Sequence, residues 1–272
     1  AFGFAQKADD LLVSKTFLHV QSPRGRELDS KLRRYSKLGG RRLRNKFPFL
    51  DRCYITTLDI GGSHAHRLRP LIDALGILTL VITDLDAGLN KAAKPVQRNA
   101  DQITNNPTLR SWMKLMHLGS TVDELLELPA NQKEHQIDDL YSVRIAYQTP
   151  ISTHLPATGK AIQTLPNTFE DSFVLSNAGH FAEKTNGTGM MKAFVKVLNE
   201  AQTSEAVGEG FFNELREGKK AEFVLLVLGD KNFPNLEIPE YISEGLNWLE
   251  SKLRSKQIEL LVIPPECAEV TP

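Results

Sequence analysis

The chain has 272 residues, of which 33 are basic and 33 acidic, so its formal net charge is zero and no whole-molecule field draws it to nucleic acid. Hydrophobic residues at 41% and charged residues at 24% are ordinary for a globular protein with a real core, and they exclude a disordered or collagen-like chain. No stretch approaches the ~20 consecutive apolar residues that span a bilayer, and the opening AFGFAQKADDLLV lacks the pattern of a signal peptide, so the expected location is cytoplasmic and no membrane partner is expected.

Arg24 to Lys46 holds ten basic residues against two acidic ones, a cluster able to neutralise phosphates and equally readable as a solvated basic segment. Cys53 and Cys267 are too far apart in sequence to suggest a disulfide framework or a zinc motif, and both read as inert. Tyr54 to Ile60 is rich in β-branched residues and ends at Gly61-Gly62, which predicts a strand running into a tight turn. A helix should follow, with Ser63 as a plausible cap, Leu68, Leu71, Ile72 and Leu75 at helical spacing, and Gly76 as the stop. Leu78 to Asp84 is nearly all apolar, as in a strand buried on both faces of a parallel sheet. Together these make a βαβ unit with an expected right-handed crossover.

Beyond Asp84 the sequence predicts a long polar loop, then helices around Leu109 to Leu118 and Thr121 to Leu128, then a strand over Tyr141 to Gln148. The stretch from Thr149 to Thr168 is punctuated by Pro and Gly without a clear period and reads as an exposed loop. Thr168 and Asp171 have capping-box spacing at the head of an amphipathic helix. The last third reads as mostly helical, including Lys220 to Leu228 and Tyr241 to Lys252, with a small edge strand over Ile258 to Ile263. No internal repeat or low-complexity block is present.

Asp84 and Asp86 are the most informative pair, because they sit where a buried strand opens into a loop, the usual position of ligand crevices in open α/β sheets. Two carboxylates there suit a hard divalent cation such as Mg2+ or Mn2+; acids are also common in turns after strands. Gly61-Gly62-Ser63-His64 lies at the neighbouring strand-to-helix junction, where bare backbone can approach phosphate; a tight turn needing positive φ explains the glycines equally. His64 and His66 could reach a phosphate or lie on the surface, and their spacing is not that of zinc ligands. Glu170 and Asp171 read as first-turn acids complementing a helix dipole, and Lys219 and Lys220 as solvated lysines or phosphate binders.

Several of these segments, in order, resemble one family. Leu58 to Ala87, LDIGGSHAHRLRPLIDALGILTLVITDLDA, is similar to the centre of the TOPRIM domain of the overcoming lysogenization defect (OLD) family of ATP-dependent endonucleases. Asn106 to Leu109 with Trp112, then VRIAYQ, TFEDSF, GKKAEF and YISEGLNWL, resemble its downstream landmarks, so the likeness runs from about Phe47 to Lys252. The resemblance implies an α/β, TOPRIM-like Rossmannoid core with a mostly parallel sheet flanked by helices, plus additional helical segments. It implies a divalent-metal-dependent endonuclease acting on DNA phosphodiesters. It also implies an N-terminal ABC-type ATPase in a longer parent protein, since no Walker A motif occurs here; a homodimer is a candidate assembly. Residue by residue, Asp84 and Asp86 match the DxD metal ligands, Glu170 matches the later acidic ligand, and Lys220 matches a lysine that steadies the scissile phosphate.

The likeness breaks at one place. The family's EGxxE motif should follow Leu11-Leu12-Val13, where this chain reads Ser14-Lys15-Thr16-Phe17, and no EGxxE occurs anywhere. Either that segment has been replaced or Glu27 or Asp29 substitutes for it. Residues 1–46 are therefore read as a diverged N-terminal segment and 47–272 as the TOPRIM catalytic-type domain. The leading expectation is a Mg2+- or Mn2+-dependent nuclease module. The alternative is a catalytically impaired TOPRIM module for DNA binding or assembly; a third, nucleotide-sugar transfer, shares only the DxD and is opposed by the Gly-Gly block and TFEDSF.

Overall fold

A computed structural model describes residues 16–20, 46–137, 141–184, 187–217 and 220–261. Strand β3 (Thr79–Ile82) is buried at all four positions, as the apolar run predicts. Its alternation feeds two cores: Leu80 and Ile82 join one apolar cluster and Val81 the other. Strand β8 (Tyr141–Ala146) does the same, with Ala146 on the first side and Tyr141, Val143 and Ile145 on the second. A sheet loaded on both faces must carry helices on both, and the chain folds accordingly into a mixed α/β layer structure.

The central sheet has the order β2-β1-β3-β8-β7, with β1 at Thr16–Val20, β2 at Ile55–Asp59 and β7 at Glu134–Ile137. Only β3 and β8 pair in parallel; β1 is antiparallel to both β2 and β3, and β7 is antiparallel to β8. The mostly parallel sheet expected from the sequence is therefore corrected to a mixed one. Strands β2 and β3 do run in the same direction, but β1 lies between them, in register Leu18↔Thr57 on one side and Leu18↔Leu80 on the other. Nothing in the local pattern of Tyr54 to Asp84 could reveal a strand inserted from before the basic stretch.

On one face of the sheet lie a 3-10 segment (Gly62–Leu68) and helices α1 (Arg69–Leu75), α2 (Pro107–Leu115) and α3 (Val122–Glu127). Gly76 ends α1 in the left-handed conformation, as predicted, whereas Ser63 does not cap it: the turn begins at Gly61, whose φ of 65° only glycine adopts readily. Thr121 and Glu124 close a capping box at the head of α3. The opposite face carries α4 (Phe169–Ser176), α5 (Ala178–Ala182), α6 (Gly189–Glu200), α7 (Ser204–Glu217), α8 (Lys220–Leu228) and the long α9 (Glu240–Leu261). Phenylalanines tie this layer together: Phe194 meets Phe211 edge-on at 4.6 Å between centroids and Phe223 at 5.4 Å, while Phe173 meets Phe181 at 5.9 Å.

Three expectations are corrected. The polar stretch after Asp86 holds a small three-stranded sheet of β4 (Ala87–Leu89), β5 (Ala92–Ala93) and β6 (Ile103–Thr104). The supposed loop from 149 to 168 is largely a hairpin, β9 (Ile151–Leu155) with β10 (Lys160–Thr164), turned at Gly159 with φ 60° and closed by Thr153 and Thr164 hydroxyls 3.0 Å apart. Ile258 to Leu261 continue α9 as helix, so no edge strand forms there, and residues 262–263 lie outside the described residues.

Helix α9 crosses β3 and β8 at Gly245, where an added Cβ would stand 3.0 Å from both Leu80 methyls and 3.4 Å from the Ala146 Cβ. Gly245→Val should therefore overpack this crossing and cost about 1–3 kcal/mol, read as a lower thermal midpoint; an unchanged midpoint would disprove the close approach. A second expectation concerns acid. Asp230 is partly buried, which pushes its carboxyl up, but Lys184 at 2.6 Å, the Asn232 N–H at 2.9 Å and His180 at 2.6 Å outweigh this and hold it at about 2. A carboxyl whose folded pKa is depressed stabilises the fold above its unfolded value of ~3.9 and loses that contribution as pH falls toward the folded value. Asp230→Asn should thus be less stable than the parent at pH 7, with the gap closing between about pH 4 and pH 2 in denaturant melts.

Candidate metal centre

Parallel pairing of β3 with β8 brings the carboxyl ends of both strands to the same edge of the sheet, and the Thr83 N–H extends the ladder to the Ala146 carbonyl at 2.9 Å. Asp84 and Gln148 follow directly and meet there. The Gln148 amide accepts from the Leu85 N–H at 2.7 Å and donates through Nε2 to Asp84 Oδ1 at 2.6 Å. Both side chains are buried. A backbone N–H can only face the oxygen of an amide, so Leu85 dictates which end of Gln148 reaches Asp84.

Asp86 lies one turn further on, exposed and with φ 49°, a conformation in which Asp is among the better tolerated non-glycine residues. Asn106 shapes this turn. The two hydrogens of its Nδ2 are shared among Thr83 Oγ1 at 2.8 Å, the Asp84 carbonyl at 2.7 Å and Asp86 Oδ2 at 3.1 Å. Its Oδ1 meanwhile caps α2 by accepting from Thr108 N at 2.9 Å and Leu109 N at 3.4 Å.

Glu170 lies in the first turn of α4, where it is 2% exposed. Its Oε2 accepts from the Thr168 hydroxyl at 2.6 Å, and its Oε1 pairs with Lys220 Nζ at 3.4 Å. Phe223, Val224 and Val227 bury α8 and so set its first residue, Lys220, beside Glu170. Asp171 plays the capping role its spacing predicts, accepting from the N–H groups of Asn167 and Thr168, both at 2.7 Å. Its burial pushes the carboxyl up to about 6 against the pull of those donors. Tyr241, near the start of α9, completes the floor. Burial drives its hydroxyl well above the usual tyrosine range, and the charges of Asp84, Glu170 and Asp171 add to the shift.

Of the residues singled out in the sequence, Glu170 and Lys220 are in direct contact, Asp84 and Glu170 both lie near Tyr241, and Asp86 is turned toward Asn106. The Gly61-Gly62 turn is separated from the DxD strand by β1, and His66 is engaged locally with Ser63 O and Thr108 Oγ1 at 3.1 and 3.3 Å. Lys219, Glu27, Asp29 and the basic stretch up to Asn45 lie outside the described residues, and Lys46 pairs with Glu237 at 3.0 Å. Sequence reasoning missed Gln148, Asn106 and Tyr241. Asn106 carried a signal, since Asn-Pro-Thr is a cap-and-N1 pair; Gln148 and Tyr241 lie in segments that resemble the family, but nothing in their spacing marks either side chain.

The oxygens that could face an ion are those of carboxylates, the donor type of a hard cation; the Gln148 and Asn106 amide oxygens are taken by backbone N–H groups. Among the described residues, no group of three or more His, Cys, Asp and Glu side chains is arranged as a metal cage. An ion of the Mg2+ kind takes one or two carboxylates and fills its remaining positions with water and substrate phosphate, and Asp84 and Glu170 are carboxylates that could serve it. Among the described residues, no helix is long and apolar enough to cross a membrane.

Comparison with known proteins bears on this geometry. Residues 36–86 match the model of the overcoming lysogenization defect protein-like TOPRIM domain, a span that ends on Asp86. Over 224 residues the chain is 25% identical to endonuclease GajA of Bacillus cereus (strain HuB5-5), an alignment covering 76% of this chain and 29% of that protein. The chain thus spans under a third of the length of this relative. No solved structure matches.

Because Asn106 both caps α2 and ties the DxD turn, Asn106→Ala should cost about 2 kcal/mol or more, beyond the ~1 kcal/mol of an ordinary cap. Asn106→Asp, which keeps a capping oxygen but loses the donor, should recover only part of this in urea melts. Full recovery would mean that the bonds donated by Nδ2 contribute nothing.

Proposed function

We propose that this chain, which carries an OLD-like TOPRIM domain, is the catalytic part of a divalent-metal-dependent DNA endonuclease. The support for the reading is the contact of Glu170 with Lys220 and the nearness of both Glu170 and Asp84 to Tyr241, with Asp84 just past the carboxyl end of the parallel β3–β8 pair. In this reading Asp84, Asp86 and Glu170 hold Mg2+ or Mn2+, and Lys220 offsets charge on the phosphate. A bound ion would polarise the phosphodiester and lower the pKa of a coordinated water. The chain's own contribution is to hold carboxylates at fixed positions in a buried site, where fixed charges act more strongly than in water. The TOPRIM-like core, the boundary near residue 47, DNA as substrate, and an ABC-type ATPase elsewhere in a longer parent belong to the same proposal.

A second reading has its own support. No EGxxE motif occurs, and among the described residues no third carboxylate joins Asp84 and Glu170 to make a cage. A chain with this fold and a weakened centre would serve in DNA binding or assembly. Supercoiled plasmid separates the two. The nuclease reading expects nicking that requires Mn2+ or Mg2+ and is abolished by Asp84→Ala in a protein that still melts cooperatively. Retained DNA binding without metal-dependent nicking would favour the second reading.

A further inference from the structure

The hydroxyl of Tyr241 is the least explained polar atom near this centre. Tyr241 is 3% exposed, and among the described residues its hydroxyl has no hydrogen-bond partner of good geometry, although the Gln148 amide lies beside it. Leaving a buried hydroxyl unsatisfied costs about 1–3 kcal/mol. Phenylalanine would fill the same space without that cost, so packing alone does not account for the oxygen. Its surroundings do: the carboxylates of Asp84, Glu170 and Asp171 all bear on it. All three already have donors: Gln148 serves Asp84 Oδ1, Thr168 and Lys220 serve Glu170, and the Asn167 and Thr168 N–H groups serve Asp171.

The orientation of Gln148 sharpens the point. Leu85 fixes its oxygen and Asp84 takes one hydrogen of its Nε2. The other amide hydrogen is then the group turned to the Tyr241 oxygen, and the phenolic hydrogen is left to point toward the acids. A phenol is neutral across the working range of pH, so it can hold a carboxylate without competing with a cation for it, as Lys220 must.

We infer that Tyr241 is a positioning residue for a divalent cation held between Asp84 and Glu170, its hydroxyl engaging these carboxylates when the ion draws them together. The inference rests on the metal-dependent reading above and adds a residue to it. Hydrogen bonds that orient metal-ligating carboxylates are worth about 10–100-fold in metal affinity.

The test is Tyr241→Phe in the full chain, read by titration with Mn2+ alone, counting the free ion by electron paramagnetic resonance, and by thermal melting without metal. The expected result is a melting temperature equal to or above that of the parent, with Mn2+ affinity at least about tenfold lower. A purely structural tyrosine gives the opposite pattern: a lower melting temperature and unchanged affinity of the folded protein. Asp84→Ala is the control that separates the two levels. If the parent binds Mn2+ and Asp84→Ala abolishes binding while Tyr241→Phe leaves it unchanged, the role of Tyr241 is overturned and the metal reading stands. If the parent binds no Mn2+, or Asp84→Ala binds as the parent does, both fall together.

Discussion

The pairing of β3 with β8 is the constraint on which the rest depends. It is the only parallel pair among the described strands, and it is why two chain segments more than sixty residues apart present their carboxyl ends side by side. An antiparallel neighbour would have placed the start of its strand, not its end, next to Asp84. Because both strands are buried on both faces, this junction is desolvated, and each hydrogen bond between Asp84, Gln148 and Leu85 is correspondingly costly to lose.

From that junction two layers of support spread outward. On the side of α2, Asn106 fastens the turn that carries Asp86 to the end of β3, so the loop is held by an amide rather than by apolar packing. On the side of α4 and α8, the phenylalanine layer does the work: Phe173, Phe181 and Phe223 fix the two helices whose first turns bring Glu170 and Lys220 together. The two supports differ in kind. A polar tie depends on a few exact contacts, whereas an apolar layer tolerates repacking as long as volume is kept.

This difference explains what could be read from the sequence. Strand β3, helix α1 with its Gly76 stop, the Thr121 cap and the Thr168-Asp171 spacing were all legible, because each is written in residues adjacent along the chain. The insertion of β1 between β2 and β3 was not, since strand order is a relation between distant segments. The β9–β10 hairpin was hidden by Pro156 and Gly159, which look like loop residues but sit at its turn. At the centre, Asp84 was marked by its place at the end of a buried strand, whereas Glu170 and Lys220 came from a family likeness, and the contact of those two is geometry that no spacing encodes. Gln148 and Tyr241 lie in segments whose apolar pattern speaks only of burial.

The charge balance of the centre bears on how it would work under the proposed reading. Asp84, Asp86 and Glu170 carry two more formal charges than Lys220 neutralises, leaving two negative charges before any ion enters. One divalent cation brings that to zero, and one phosphodiester returns a single negative charge. A second divalent ion would leave the centre strongly positive unless further carboxylates joined it, and the missing EGxxE motif is where the family likeness would have supplied them. Fixed charges in a buried site are expensive to leave uncompensated. Under that reading the described acids balance one ion, and a two-ion mechanism would draw on acids from another part of the chain.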